Sequence, residues 1–348
     1  MAKGNGMTTA YVTHPRYTEH NLPGHPEHPG RIEAVWRVLD QSGLTARMKR
    51  IDPQNASDEQ LLSVHTPTYL EILKEVSQRD TGVMFDNDTY AFPNSPEIAR
   101  LSAGGVISAV DAVLNGDAEN SLAVTRPPGH HALPERGMGF CLLGNIAIAA
   151  RHAQKSGNLE RVLIVDYDVH HGNGTQIMFE DDDSVMFLST HQHPYYPGSG
   201  MVHETGKGKG RGYTVNIPLP ARCGDKNYAQ VYKEIVWPVT KRFNPQLILV
   251  SAGFDAHWID PLASMELSLS GYAHLNQELI SMAKELCDGR IVFVVEGGYD
   301  LDALGHGVRN IAHALLADDE ISDPLGSKNR SEPNIDNLIN KIRQTHNV

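Results

Sequence analysis

The chain has little cysteine, no long apolar run and no excess of positive charge. Three cysteines occur in 348 residues (Cys141, Cys223 and Cys287), an odd number without Cys-x-x-Cys spacing. That excludes a disulfide scaffold or a thiolate zinc finger and leaves reduced thiols, mostly in the core. No stretch approaches the ~20 apolar residues of a membrane span. The N-terminal MAKGNGMTTAYV also lacks the apolar core of a secretion signal. These absences predict a cytoplasmic protein without a membrane partner. Thirty Lys and Arg oppose 42 Asp and Glu, a formal net charge of −12. Such a balance argues against a nucleic-acid surface and favours attraction of cationic substrates. Linkers rich in Pro, Gly or Ser are missing, as are internal repeats. One domain is expected over 1–348, with a core of about 10–318 and a polar extension over 319–348. In that extension Ile335, Leu338, Ile339 and Ile342 mark a short amphipathic helix.

What is present is an alternation of apolar, β-branched runs with helical patterns. The runs at 122–125, 162–168, 185–189, 213–217, 246–251 and 290–295 read as strands. Helical periodicity covers 30–39, 66–76, 95–114, 144–154, 225–243, 270–286 and 301–316. This order predicts an α/β protein: an open, mostly parallel sheet with helices on both faces. Polar motifs follow the strands, where open α/β sheets bind their ligands. They are RPPGHH (126–131), DYDVHHGNG (166–174), AGFD (252–255) and EGGY (296–299).

The second motif is the richest. In an extended chain Asp166, Asp168 and His170 would share one face if strand geometry persists to the end. A carboxylate and an imidazole suit a divalent metal such as zinc. Asp168 and His170 supply two ligands and Asp255 is the natural third. With two anionic ligands such a site needs a separate base, for which His130 and His131 are candidates. Asp166 and Asn173 are suitable partners for them: a carboxylate favours an imidazolium, whereas an amide orients without adding charge. One histidine would then act electrostatically while the other moves a proton. Tyr299, after two glycines, suits the stabilisation of an oxyanion.

Together these segments resemble the zinc-dependent histone deacetylase family, within the arginase–deacetylase fold. The resemblance runs from His25 to Leu316 through HPEHPGR, VHTPTYL, RPPGHHA, GFC, DYDVHHGNGTQ, YYPGSG, SAGFDAH and EGGYDL. Asn173 and SAGFDA look like its class II branch. The resemblance implies one catalytic Zn²⁺ on Asp168, His170 and Asp255. It makes His131, backed by Asn173, the general base and then acid, gives His130 with Asp166 an electrostatic role, and has Tyr299 polarise the carbonyl. Gly139, Phe140 and Tyr196 would line the channel for the acyl-lysine stem. Thr89 would match a rim residue that bonds the substrate amide, and Arg31 would lie deep, near the acetate exit. A structural K⁺ is implied near Asp166, Asp168, His170, Ser189 and Thr190. Leu262 stands where polyamine-selective relatives place a glutamate, which favours acetyl-lysine proteins or peptides over small acetylated amines. An acetylpolyamine amidohydrolase is the enzyme alternative, and a catalytically silent acyl-lysine binder is the alternative of another class. Leu142-Leu143-Gly144 departs from the family pattern, His257 is expected at the rim, and self-association is left open.

Overall fold

Strand β6 (Val162–Asp166) shows how the apolar runs become a sheet interior. Val162 and Ile164 pack into one core cluster and Leu163 and Val165 into another. Alternate side chains point to opposite faces, so a strand covered by helices on both sides must be apolar throughout. The computed structural model describes residues 8–328 and 330–348. Its main sheet holds β1 (Thr9–Val12), β2 (Lys49–Ile51), β5 (Asn120–Ala123), β6, β7 (Val185–Gln192), β8 (Thr214–Leu219), β9 (Leu247–Ala252) and β10 (Ile291–Val295). The order is β2-β1-β5-β10-β9-β6-β7-β8, and every pairing is parallel. The short β3 (Val83–Met84) and β4 (Tyr90–Ala91) form a separate antiparallel hairpin.

One face carries the helices Gly30–Gln41, Leu269–Leu286, Leu301–Leu315 and Asp336–His346, whose apolar residues share a cluster. The other face carries Pro67–Ser77, Ser95–Leu114 and Asn145–Gly157. Residues 225–243 are helical throughout but contain a π turn at Tyr232–Val236, just before Pro238. Proline donates no backbone hydrogen bond, and the wider turn carries the helix past it. The C-terminal helix is anchored by Ile335, Ile339 and Ile342, all buried. No helix among the described residues is long and apolar enough to cross a membrane.

The strand order fixes the site. β5, β10, β9 and β6 are the four central strands, and the polar motifs follow these four. Their C-terminal ends therefore place the RPPGHH, EGGY, AGFD and DYDVHH loops side by side.

Candidate active site

β6 ends at Asp166, and the strand geometry does not persist to His170. Asp166 Oδ1 accepts the Asp168 N–H at 3.1 Å, a side-chain turn that replaces the next ladder bond. The expected shared face is thus divided. Asp166 Oδ2 turns to His130, accepting its Nδ1–H at 3.0 Å. Asp168 and His170 instead meet Asp255, which follows β9. His170 Nδ1 lies 3.2 Å from Asp168 Oδ1 and 3.2 Å from Asp255 Oδ2.

The donor atoms of Asp168, His170 and Asp255 all lie within 4.8 Å of one another. Asp255 Oδ1 accepts the Val169 N–H at 2.9 Å, while buried Oδ2 has no hydrogen bond and only the ion-pair contact with His170. Burial and the Asp168 charge raise the Asp255 pKa against the opposing pull of His170. Burial would lower that of His170, but the two carboxylates push it to about 10. Two carboxylates sharing one imidazole proton form a site short of positive charge, and the donor set fits a divalent zinc-type ion. Gly297 completes the cradle. Its N–H donates to Asp168 Oδ2 at 2.8 Å, and a Cβ there would lie 2.2 Å from Asp255 Oδ2.

The two adjacent histidines have opposite environments. Both are buried, with ring centroids 3.9 Å apart. Burial disfavours a charged His130, yet Asp168, Asp166 and Glu296 hold its pKa well above the ordinary value. Burial, followed by the neighbouring His130 and His170, pushes His131 well below it. His131 Nδ1–H donates to Asn173 Oδ1 at 2.8 Å, and Asn173 Nδ2 in turn contacts Met138 Sδ at 3.3 Å. That fixes the tautomer, so His131 Nε2 is left as a proton acceptor.

A cavity of about 480 Å³ opens over this floor, lined by His131, His170 and Tyr299 below and by Phe140, Tyr195, Tyr196 and Leu262 around it. Tyr299 precedes Asp300, whose carboxylate caps the helix Leu301–Leu315. Phe140 holds a left-handed backbone (φ +68°), a conformation that costs a non-glycine residue of order 1 kcal/mol or more and is kept only by its surroundings. Gly139 before it is equally confined, since a Cβ there would lie 2.4 Å from the His131 ring.

Two expected positions, those of Thr89 and His257, are corrected. Thr89 is not on the rim: it is fully buried, and its Oγ1 accepts the Phe140 N–H at 3.0 Å. It secures the aromatic wall, and Asn87 and Asp88 line the mouth instead. His257 is not at the rim either but buried, its Nε2 without a hydrogen bond, and it lies outside the Asp168–His170–Asp255 group. Arg31 is deep, with its guanidinium 4.9 Å from the Tyr299 ring centroid. Its Nε–H donates to the Gly298 carbonyl at 2.7 Å and its Nη1–H to Glu27 Oε1 at 3.0 Å. Ser189 is the strand neighbour of Asp166, and buried Thr190 Oγ1 has no partner.

Three contributors have no role in the sequence reading. Buried Glu296 Oε2 accepts the Gly129 N–H at 2.7 Å and the His130 N–H at 3.3 Å, fixing the histidine loop. Its acidic place after β10 is the signal that could have found it. Tyr195 stacks on His170 with centroids 5.7 Å apart. Asp260 Oδ2 accepts the Tyr299 N–H at 2.7 Å, and its Oδ1 accepts that of Leu262 at 2.9 Å.

Residues 25–315 match the histone deacetylase domain family. A probable deacetylase of Archaeoglobus fulgidus is 46% identical over 85% of this chain and 82% of its own length. A histone deacetylase-like amidohydrolase of Pseudomonas aeruginosa is 44% identical over 79% of this chain and 73% of its own. Among solved structures, the crystal structure of the HDA15 HD domain superposes with a TM-score of 0.88 at 34% identity, covering 98% of this chain and 95% of that one.

Proposed function

The chain belongs to the histone deacetylase family, which makes it a hydrolase of amides, and from that premise we propose that it removes acetyl or similar short acyl groups from lysine side chains. The observation that carries this reading is the pairing of an acceptor nitrogen, His131 Nε2, with an undercharged Asp168–His170–Asp255 group whose His170 lines the same cavity as His131. Zn²⁺ held by those three side chains would polarise the acyl carbonyl and acidify a water. His131 takes the proton of the attacking water at Nε2 and returns it to the leaving amine. His130, held cationic by Asp166, favours the negative charge that develops between them. The Tyr299 hydroxyl donates a hydrogen bond to the same oxygen. Phe140 and Tyr196 grip the alkyl stem and exclude water. Leu262 offers no carboxylate to a second ammonium group, which supports a lysine rather than a polyamine substrate.

A structural K⁺ near Asp166, Asp168, His170, Ser189 and Thr190 belongs to the same proposal, supported by the buried Thr190 hydroxyl that has no hydrogen-bond partner. Three buried free thiols support a reducing compartment such as the cytoplasm. The test compares kcat/KM for an acetyl-lysine peptide and for acetylspermidine on one zinc-loaded preparation. Preference for the peptide is expected, and preference for the polyamine would overturn the substrate assignment. His131→Ala and Tyr299→Phe should lower kcat by roughly 10²–10⁴-fold while sparing the fold. Retention of a tenth of the activity by either variant would remove that residue from the chemistry.

A further inference from the structure

A second cavity of about 470 Å³ lies at the opposite end of the sheet. It sits where β6, β7, β8 and β9 begin and is closed by the end of the C-terminal helix. Arg161 precedes β6, so roughly 16 Å of strand separates it from Asp166 at the catalytic end, at ~3.3 Å per residue. Three guanidinium groups line this cavity, those of Arg161, Arg211 and Arg242, against one carboxylate, Asp183. Such a concentration stands out in a chain of net charge −12.

The arginines are only partly used by the protein. Arg161 Nε–H donates to the Asn244 carbonyl at 2.8 Å, and its Nη1 lies 3.5 Å from Glu160. Arg242 Nη1–H donates to the carbonyl of His346. Among the described residues Arg211 forms no hydrogen bond or ion pair. Two arginines are thus anchored by backbone carbonyls with further N–H groups to spare, and the third is uncommitted. Like charges gathered in this way repel one another unless an anion lies between them.

His346 supplies the independent observation. It lines the cavity and is 3% exposed, yet neither ring nitrogen has a hydrogen-bond partner. Burial and the nearby Arg242 keep its imidazole neutral. A neutral imidazole still carries one N–H, and a buried donor without an acceptor is uncommon in folded proteins. An oxyanion in the cavity would bridge the guanidinium groups, for which planar arginine is well suited, and a turn of the shielded His346 ring would bring its N–H to that acceptor. The rings of Tyr213 and Phe243, edge to face at 5.9 Å, add an apolar side. The volume suits a small molecule, and the acidic remainder of the chain disfavours a polyanionic polymer.

We propose that this cavity binds a small polyvalent oxyanion, a phosphate ester or polycarboxylate, that ties the C-terminal helix to the foot of the sheet. The test is calorimetric titration of the full chain with pyrophosphate and, separately, with citrate, at ionic strength held constant with NaCl. Saturable binding of at least one is expected, and the stronger of the two identifies the source as phosphate or carboxylate. Arg211→Gln should weaken it by more than about tenfold, since a charge-assisted hydrogen bond is lost. It should leave deacetylase kcat/KM in the absence of the anion unchanged, which shows that the variant is folded. His346→Gln should weaken it less. Absence of saturable heat with both probes, loss of binding in matched NaCl, or undiminished binding by Arg211→Gln would each overturn the proposal. So would competition by an active-site hydroxamate, because the probe would then occupy the catalytic cavity.

Discussion

Two buried clusters of charge lie close together behind the catalytic cavity, and they differ in completeness. In the first, Glu27 is gripped by Arg126 through hydrogen bonds of 2.6 and 2.8 Å and by Arg31 at 3.0 Å. Arg126 donates its remaining Nη1–H to the Tyr17 carbonyl at 2.7 Å. Each carboxylate oxygen meets a cation. In the second, Asp168 and Asp255 share the Nδ1–H of His170, and one oxygen is left without a hydrogen bond. Both clusters carry the desolvation cost of buried charge. The first offsets it within the protein, whereas the second is suited to a cation from outside, the proposed Zn²⁺. A self-sufficient cluster serves as scaffolding, and an undercharged one suits a binding site.

The sharpest way to break this contrast is to neutralise one acid in each. Asp255→Asn should abolish deacetylation, with metal affinity falling by more than the ~100-fold typical of losing an outer partner. Metal-free protein should be no less stable for the change, because one of two crowded carboxylates has gone. Metal content after dialysis and urea unfolding of the apo form read these effects, and a destabilised apo variant would contradict the contrast. Glu27→Gln should instead cost about 3–5 kcal/mol of stability, leaving buried arginines uncompensated. Burial alone would raise the Glu27 pKa, but Arg126 and Arg31 lower it from 4.5 to about 2. A depressed carboxylate stabilises fully above its unfolded pKa and loses that contribution as pH falls through its folded one. The gap between wild type and Glu27→Gln should therefore be constant from pH 7 to about 4.5 and close towards pH 2. A gap independent of pH would rule this out.

Smaller effects sharpen the comparison. Glu296→Ala frees the Gly129 and His130 amides, and misplacement of the histidine loop should lower kcat on the order of 10²-fold with little change in KM. Glu296→Gln, which keeps one acceptor, should fall between. Thr89→Val leaves the Phe140 N–H unpaired and should cost about 1–3 kcal/mol. It should raise KM more than it lowers kcat, with Thr89→Ser restoring both. Equal losses in kcat and kcat/KM would place Thr89 nearer the chemistry than the wall.

The strands most readable in the sequence are the central ones. Residues 162–165 and 291–295 are apolar at every position because both faces are covered, and the polar residues after them mark the site. β1 and β2 are too short for such a signal, and β2 (Lys-Arg-Ile) is largely exposed. The sheet expected to be mostly parallel proves parallel in these two strands as well. Residues whose purpose lies in a partner distant along the chain leave no local trace. Thr89 serves Phe140, 51 positions away, and Glu27 serves Arg126, 99 positions away. His257 is expected at the rim from its place in the family pattern, but the turn after β9 directs it inward.

Asp260 has a consequence for how this chain can change over time. One carboxylate holds the amide of Tyr299, the proposed donor to the acyl oxygen, and the amide of Leu262, the proposed screen against a second amine. Substrate choice and turnover are thereby tethered to a common post. An insertion that reshapes the 260–264 turn would drag the phenol with it, whereas an exchange of the Leu262 side chain would not. New specificities are therefore reachable by single substitutions on a turn of fixed length, and a lineage that lengthens it must first release Tyr299.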